Sequence, residues 1–281
     1  MRAFVLAALF LACAGPAAAA GAEVLFAERS ALLAADRRCD LFSPQLRQAL
    51  EASTFQARGV LLRSGWTAAR ADALARGAAR DVSNRRCDDP VLARAAADAR
   101  AGFSGWTRTM GMTFPGGERV WSARRAADPQ GFYIRQDIPG PRPAVFGVRR
   151  VGDGGSLMLV MPLRPGEAVP ATARLSFRDT ASAPRSIADT PGRTGHGLAS
   201  LAASPATARV THASARAVET GERGARAVVF TFPDATLYAM KGLDPREAMT
   251  LTLDGRTPIT LYVEVGDIAA AHAFLAAEAV G

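Results

Sequence analysis

The chain has 281 residues, of which 49% are hydrophobic, and a formal net charge of +8. This composition provides ample material for a core, and no apolar run after the first 20 residues is long enough to span a bilayer, which takes about 20 residues. The charge is uneven: residues 21–150 hold 21 Arg and 13 acidic residues, net +8, whereas residues 151–281 hold 11 Arg, one Lys and 13 acidic residues, net −1.

Residues 1–20 have the parts of a secretory signal peptide. Arg2 supplies the positive charge, a short apolar run follows, and small residues close the segment. The sequence predicts cleavage after Ala20 or Ala22 and a periplasmic or secreted product without a transmembrane segment. In the alternative interpretation, Cys13 carries a lipid anchor.

Residues 21–112 are predicted to form a helical domain. Ser43-Pro44 and Asp89-Pro90 each place a capping side chain before a proline at the first helical position, and Thr67 is a third capping residue. Apolar residues then recur at helical spacing. The sequence therefore predicts a small bundle of four helices, over about residues 23–38, 44–64, 67–82 and 90–103.

Cys39 and Cys87 are the two cysteines that remain after removal of the signal. They precede the second and fourth helices, which begin at the same end of an up-down bundle. An even pair in an oxidising compartment favours a disulfide, and neither cysteine has the close spacing of a zinc or thiol-exchange motif. We therefore predict a Cys39–Cys87 bond.

Residues 113–281 are predicted to form an antiparallel β domain. Apolar and polar residues alternate over 173–178, 249–253 and 259–265, and Asp254-Gly255 is typical of a tight hairpin. We predict a sandwich or roll that ends in a helix beginning at Asp267. The fold class is thus α+β. Further strands are expected near residues 119–124, 131–137, 143–150, 155–163, 207–213, 225–232 and 235–241.

The segment 179–206 has little pattern, and such a long stretch is typically functional or mobile. It carries His196, the best catalytic candidate of the three histidines. An envelope hydrolase using His196 is therefore the alternative function. No nucleophile elbow surrounds Ser200 or Ser204, no two histidines have metal-ligand spacing, and we predict no metal and no cofactor.

Tryptophan and arginine are concentrated in the basic half. Arginine recognises phosphate and carboxylate oxygens, and tryptophan tolerates a partly exposed surface. In the simpler alternative, the tryptophans seal a core and the arginines only face solvent. The candidate binding residues are Arg63, Trp66, Arg70, Trp106, Arg108, Arg119 and Trp121.

The leading hypothesis for function is a non-catalytic binding or scaffolding module of the cell envelope. Its basic helical half would contact an anionic partner, either a lipid headgroup, an acidic glycan or an acidic protein. A nucleic-acid partner is not expected in that compartment.

The segment Leu261-Tyr262-Val263-Glu264-Val265, followed by a short alanine-rich helix, is similar to the end of the invasion-associated locus B family over about twenty residues. The order of the signal, cysteine-containing helices, Phe-Pro-Gly turn, Trp121 and strands resembles exported proteins of Gram-negative bacteria. Neither resemblance implies a reaction or a site.

Overall fold

The structure is a computed structural model that describes residues 16–152, 154–191, 197–221 and 224–276. Within these ranges, four helices precede the strands, and two shorter helices follow within the β part. The helices are α1 (Pro16–Cys39), α2 (Pro44–Arg63), α3 (Ala68–Ser83), α4 (Pro90–Phe103), α5 (Asp234–Lys241) and α6 (Ile268–Ala276). The strands are β1 (Gly111–Pro115), β2 (Val120–Arg124), β3 (Phe132–Ile138), β4 (Ala144–Val151), β5 (Gly154–Pro162), β6 (Thr172–Arg178), β7 (Ala208–His212), β8 (Ala215–Thr220), β9 (Arg226–Thr231), β10 (Ala248–Asp254) and β11 (Ile259–Glu264).

The four predicted N-terminal helices are confirmed, with their predicted caps. The Ser43 side chain accepts a hydrogen bond from the Leu46 amide, Thr67 accepts one from Arg70, and Asp89 accepts one from Val91. These bonds satisfy amide donors that have no partner within the first turn of a helix. The bundle then buries two small apolar clusters, one around Leu50 and Ala96 and the other around Leu61 and Leu62.

The Cys39–Cys87 disulfide is also confirmed, with 5.5 Å between the two Cα atoms. It joins the end of α1 to the turn before α4. The up-down order of the helices brings these two turns to one end of the bundle, as the sequence predicts. Among the described residues, no helix combines the length and apolar character that spanning a bilayer requires.

Two antiparallel sheets form the β part. One has the strand order β1-β2-β3-β4-β5-β9-β8 and the other the order β11-β10-β6-β7. Alternate residues of both sheets point into a shared core, to which α6 adds Ile268 and Phe274. Leu157, Met158, Leu159 and Met161 of β5 are all buried, consistent with the interior position of β5 in its sheet. The predicted antiparallel β part and its terminal helix are therefore present.

The prediction of a strand over 235–241 is wrong, because this segment is helix α5. Pro233 lacks the amide hydrogen that a strand would use, and Asp234 stabilises the first turn of a helix. Thr236 and Met240, four residues apart, are both buried. Strands β1 and β8 were not predicted; every residue of β8 is exposed, so it has no buried face to produce a sequence pattern.

The described part of segment 179–206 is mostly turns and irregular chain, in keeping with its weak sequence pattern. It contains the 3₁₀ turns Ile187–Asp189 and Leu198–Leu201. The Asp189 carboxylate accepts a hydrogen bond of 3.1 Å from the first amide of α3, that of Ala68, and pairs with Arg246 at 2.8 Å. This segment therefore links the helical part to the β part.

Candidate functional site

Trp121, a predicted binding residue, belongs to the core. Its side chain is fully buried, and its indole nitrogen donates a hydrogen bond of 2.8 Å to the Val265 carbonyl. The buried carboxylate of Glu264 lies alongside and accepts hydrogen bonds from the amides of Gly117, Glu118 and Arg119. This node joins the β1–β2 turn to the end of β11, so Trp121 lies in the core and not on the exposed surface that the sequence suggested.

Arg119 lies at the edge of this node and is partly buried. Its guanidinium donates to the Asp137 carbonyl at 3.3 Å. Burial lowers the pKa of Arg119, while the charges of Glu118 and Glu264 raise it. The Arg119 guanidinium therefore contacts the neighbouring strand β3 through this hydrogen bond.

Arg63, another predicted binding residue, forms a buried ion pair. Its two terminal nitrogens donate to the two oxygens of Asp267, at 2.9 and 3.0 Å. Burial raises the pKa of Asp267, and Arg63 lowers it. Gly59, one turn earlier in α2, leaves the space that the pair occupies. In the structure the guanidinium of Arg63 is therefore engaged by Asp267 and holds α2 against the start of α6, whereas the sequence suggested an exposed arginine.

Trp66 and Arg70 form a stacked pair at the start of α3. Trp66 is buried against Leu61 and Leu62, so it seals the core in the way that the simpler alternative describes. The exposed Arg70 guanidinium lies 3.6 Å from the centre of the Trp66 ring. Only the arginine of this pair is available to a partner.

Trp106 also packs inward, but it borders an exposed surface. Its ring lies edge-on to Phe274, with centroids 5.2 Å apart, and Arg125 lies 4.4 Å from the centre of Phe274. Arg125 donates to the carbonyls of Thr109 and Met110, at 2.7 and 2.9 Å. These contacts hold the chain that precedes β1 alongside the end of β2.

That arrangement creates what we call the basic patch, composed of Arg108, Met110 and Arg124. The side chains of Arg108 and Arg124 are exposed, and 54% of Met110 is exposed. Gly111 and Arg124 are paired between β1 and β2, so the three residues lie at one end of this hairpin. Neither Arg108 nor Arg124 takes part in an ion pair with any residue that the structure describes.

The excess positive charge can now be recounted on either side of the observed end of the helical part. Residues 21–104 hold 13 Arg and 10 acidic residues, net +3, whereas residues 105–150 hold 8 Arg and 3 acidic residues, net +5. The expectation of a basic helical half therefore needs correction. Most of the excess lies on the segment from the 3₁₀ turn at Trp106 to the end of β4, which includes the basic patch.

A second cluster was not predicted. Lys241, at the end of α5, places its amine nitrogen 3.4 Å from Nδ1 of His272 on α6 and 4.5 Å from the centre of the Tyr238 ring. Burial lowers the pKa of Lys241, while the charge of Glu51 on α2 raises it. Burial and the charge of Lys241 lower the pKa of His272 to about 4. His272 is therefore neutral at pH 7, and its Nδ1 accepts from the lysine.

One signal in the sequence could have drawn attention to this cluster, since Lys241 is the only lysine beside 33 arginines. His272 gave no such signal, because its helix is otherwise mostly apolar. His196, on which the hydrolase alternative depends, lies outside the described residues. Within the described ranges, no group of three His, Cys, Asp or Glu side chains could hold a metal ion.

Comparisons with protein-family models, with curated proteins and with solved structures give no match to this chain. These comparisons do not support the resemblance to the invasion-associated locus B family that the last part of the sequence suggested. In the structure, those residues form β11, the Glu264 node and α6, and they stabilise the fold.

Proposed function

We propose that the protein is an exported, non-catalytic binding module that contacts an anionic component of the cell envelope through the basic patch. The observation that carries the proposal is the pair of exposed arginines, Arg108 and Arg124, that have no ion-pair partner in the described chain. Both arginines, and the exposed Met110, belong to residues 105–150, which carry the excess of positive charge.

The chemistry of the patch supports an anionic surface as the partner. Guanidinium groups recognise phosphate and carboxylate oxygens through paired hydrogen bonds. The exposed Met110 side chain, on the same short segment, would add apolar contact area once water is displaced. Lipid headgroups, acidic glycans and acidic proteins all present such oxygens. The export component is inferred from the signal-like residues 1–20, and the disulfide, a bond typical of oxidising compartments, supports it.

The proposal is tested with vesicles of phosphatidylcholine alone and of phosphatidylcholine mixed with phosphatidylglycerol, by co-sedimentation. We expect binding to the anionic vesicles only. The binding should weaken strongly from 0.01 to 0.15 M salt, as the Debye length falls from about 30 to about 8 Å. An acidic polysaccharide, tested in parallel, distinguishes a glycan from a lipid as the partner.

Arg108→Glu combined with Arg124→Glu should weaken the binding by about 30-fold or more, since each arginine near an anionic surface contributes about 1 kcal/mol. The matched control is Arg86→Glu with Arg94→Glu, which changes the net charge equally. Those two exposed arginines already pair with Asp88 and Asp98. Equal loss in both double variants, or equal binding to the neutral vesicles and to the anionic probes, would contradict the proposal.

The export component has a separate test, which is the intact mass of the protein secreted by its host. We expect the mature chain to begin at Gly21 or Glu23, the starts left by the two cleavage points that the sequence predicts. A mature protein that begins at Met1, or at an acylated Cys13, would contradict export by this signal.

A further inference from the structure

Lys241 is unusual for its identity and for its surroundings. The chain carries 33 arginines and one lysine, so a position that needs only a positive charge is filled by arginine nearly everywhere. Arginine cannot provide a neutral amine, because its guanidinium stays protonated at any physiological pH. Lysine is required where the amine itself must lose its proton and react.

The surroundings of the amine are those of a reactive lysine. The Lys241 side chain is partly buried between α5 and α6, and its nitrogen contacts the neutral ring nitrogen of His272. Burial disfavours the charged ammonium and lowers the pKa of Lys241. The charge of the Glu51 carboxylate acts in the other direction and raises the pKa of Lys241. Burial raises the pKa of Glu51 itself. Tyr238 covers one side of the amine.

A cavity of about 260 Å³ lies beside Lys241, between α2, α3, α5 and the start of α6. Phe55, Leu243 and Ile268 provide apolar walls, and the paired charges of Arg58 and Asp72 form a polar rim. A second cavity, of about 420 Å³, is lined by His272 and Tyr238. The lysine cluster thus borders two spaces that can each hold a small molecule.

We propose that Lys241 is a nucleophilic amine that binds a small aldehyde or ketone covalently as an imine. The nitrogen lone pair attacks the carbonyl carbon, the π pair of the C=O bond moves to oxygen, and one amine proton passes to that oxygen. The oxygen then leaves as water with the second amine proton, and a C=N bond remains between the lysine and the ligand. The step needs no oxidant or reductant and is independent of the basic patch.

The full-length protein is tested with glycolaldehyde and sodium cyanoborohydride, which reduces an imine to a stable amine. Peptide mapping then locates the modification. Arg256→Lys supplies the matched control, because Arg256 is exposed in the β10–β11 turn. In that variant, Lys241 and the introduced lysine compete within one molecule for the same reagent.

We expect Lys241 to be modified at least about tenfold faster than the introduced lysine at pH 7. The two rates should converge above the ordinary lysine pKa of 10.5 and should become equal when the chain is unfolded in urea. Equal rates in the folded protein at pH 7, faster modification of the introduced lysine, or a difference that persists in urea would overturn the proposal. Lys241→Arg should abolish the internal modification and leave the circular dichroism of the protein unchanged.

Discussion

Gly59→Ala should destabilise this protein, although the same change in most helices is stabilising. Glycine within a helix costs about 0.5–1 kcal/mol relative to alanine, and Gly59 lies well inside α2. A methyl group at this position, however, would overlap Oδ1 of Asp267 and come within 2.9 Å of Nη1 of Arg63. The buried ion pair would therefore have to move.

The magnitude follows from that ion pair. The Asp267 side chain is only 2% exposed, and breaking a buried pair typically costs about 3–5 kcal/mol because it leaves a charge without compensation. Subtracting the helix-propensity gain, and allowing for partial relaxation of Arg63, gives a net loss of about 2–4 kcal/mol in the free energy of unfolding. The contact between α2 and α6 should loosen with it.

Urea denaturation followed by tryptophan fluorescence measures this loss. Gly77→Ala is the matched control, because it also lies inside a helix but its new methyl group would be 4.0 Å from the nearest atom, a flexible arginine nitrogen. The free energy of unfolding of the Gly77→Ala variant should rise by about 0.5–1 kcal/mol. In an Asp267→Ala background, Gly59→Ala should cost little, since the overlapping carboxylate is gone. If Gly59→Ala stabilised the protein as Gly77→Ala does, the reasoning would be refuted.

Three further predictions concern stability. Cys39→Ser should lower the unfolding free energy by about 4 kcal/mol, given the 48-residue separation of the cysteines, and an unchanged urea midpoint in the variant would contradict this. Glu264→Gln should lower the free energy of unfolding by about 1–3 kcal/mol, because the NH₂ group of glutamine would face backbone N–H donors that the carboxylate now accepts from. It should also alter the near-ultraviolet circular dichroism of Trp121. An unaltered spectrum and urea midpoint would count against the Glu264 node. The pKa of His272 falls from 6.5 to about 4 on folding, so the unfolded chain binds the proton first and stability is lost as pH decreases from 6.5 to 4. The loss should be about 1–2 kcal/mol after solvent screening is considered, and His272→Gln should remove that component; an identical pH profile in the variant would contradict the assignment.

The candidate binding residues were only partly predictable. Arg108, the last residue of the 3₁₀ turn Trp106–Arg108, is exposed, in agreement with its choice as a candidate surface residue. Arg63 and Trp121 were misplaced because their partners are distant in sequence: Asp267 lies 204 residues from Arg63, and Val265 lies 144 residues from Trp121. An arginine that faces solvent and one that neutralises a buried carboxylate have the same sequence signature.

The lysine cluster illustrates the same limit. Lys241 stands out in the composition, but the reactivity that we propose for it depends on His272 and Glu51, which come from two other helices. Only packing brings the three together, and only burial changes their pKa values.

The sequence by itself determined the features that depend on residues close together in the chain. The caps at Ser43, Thr67 and Asp89 define where three helices begin, and the alternation of apolar residues defines most of the strands. The helix order also places Cys39 beside Cys87. The tertiary structure alone decided which arginines are free to bind and where the excess charge lies. The reason is physical: caps and periodicity are set by local hydrogen bonds and side-chain spacing, whereas burial depends on contacts between segments far apart in the chain.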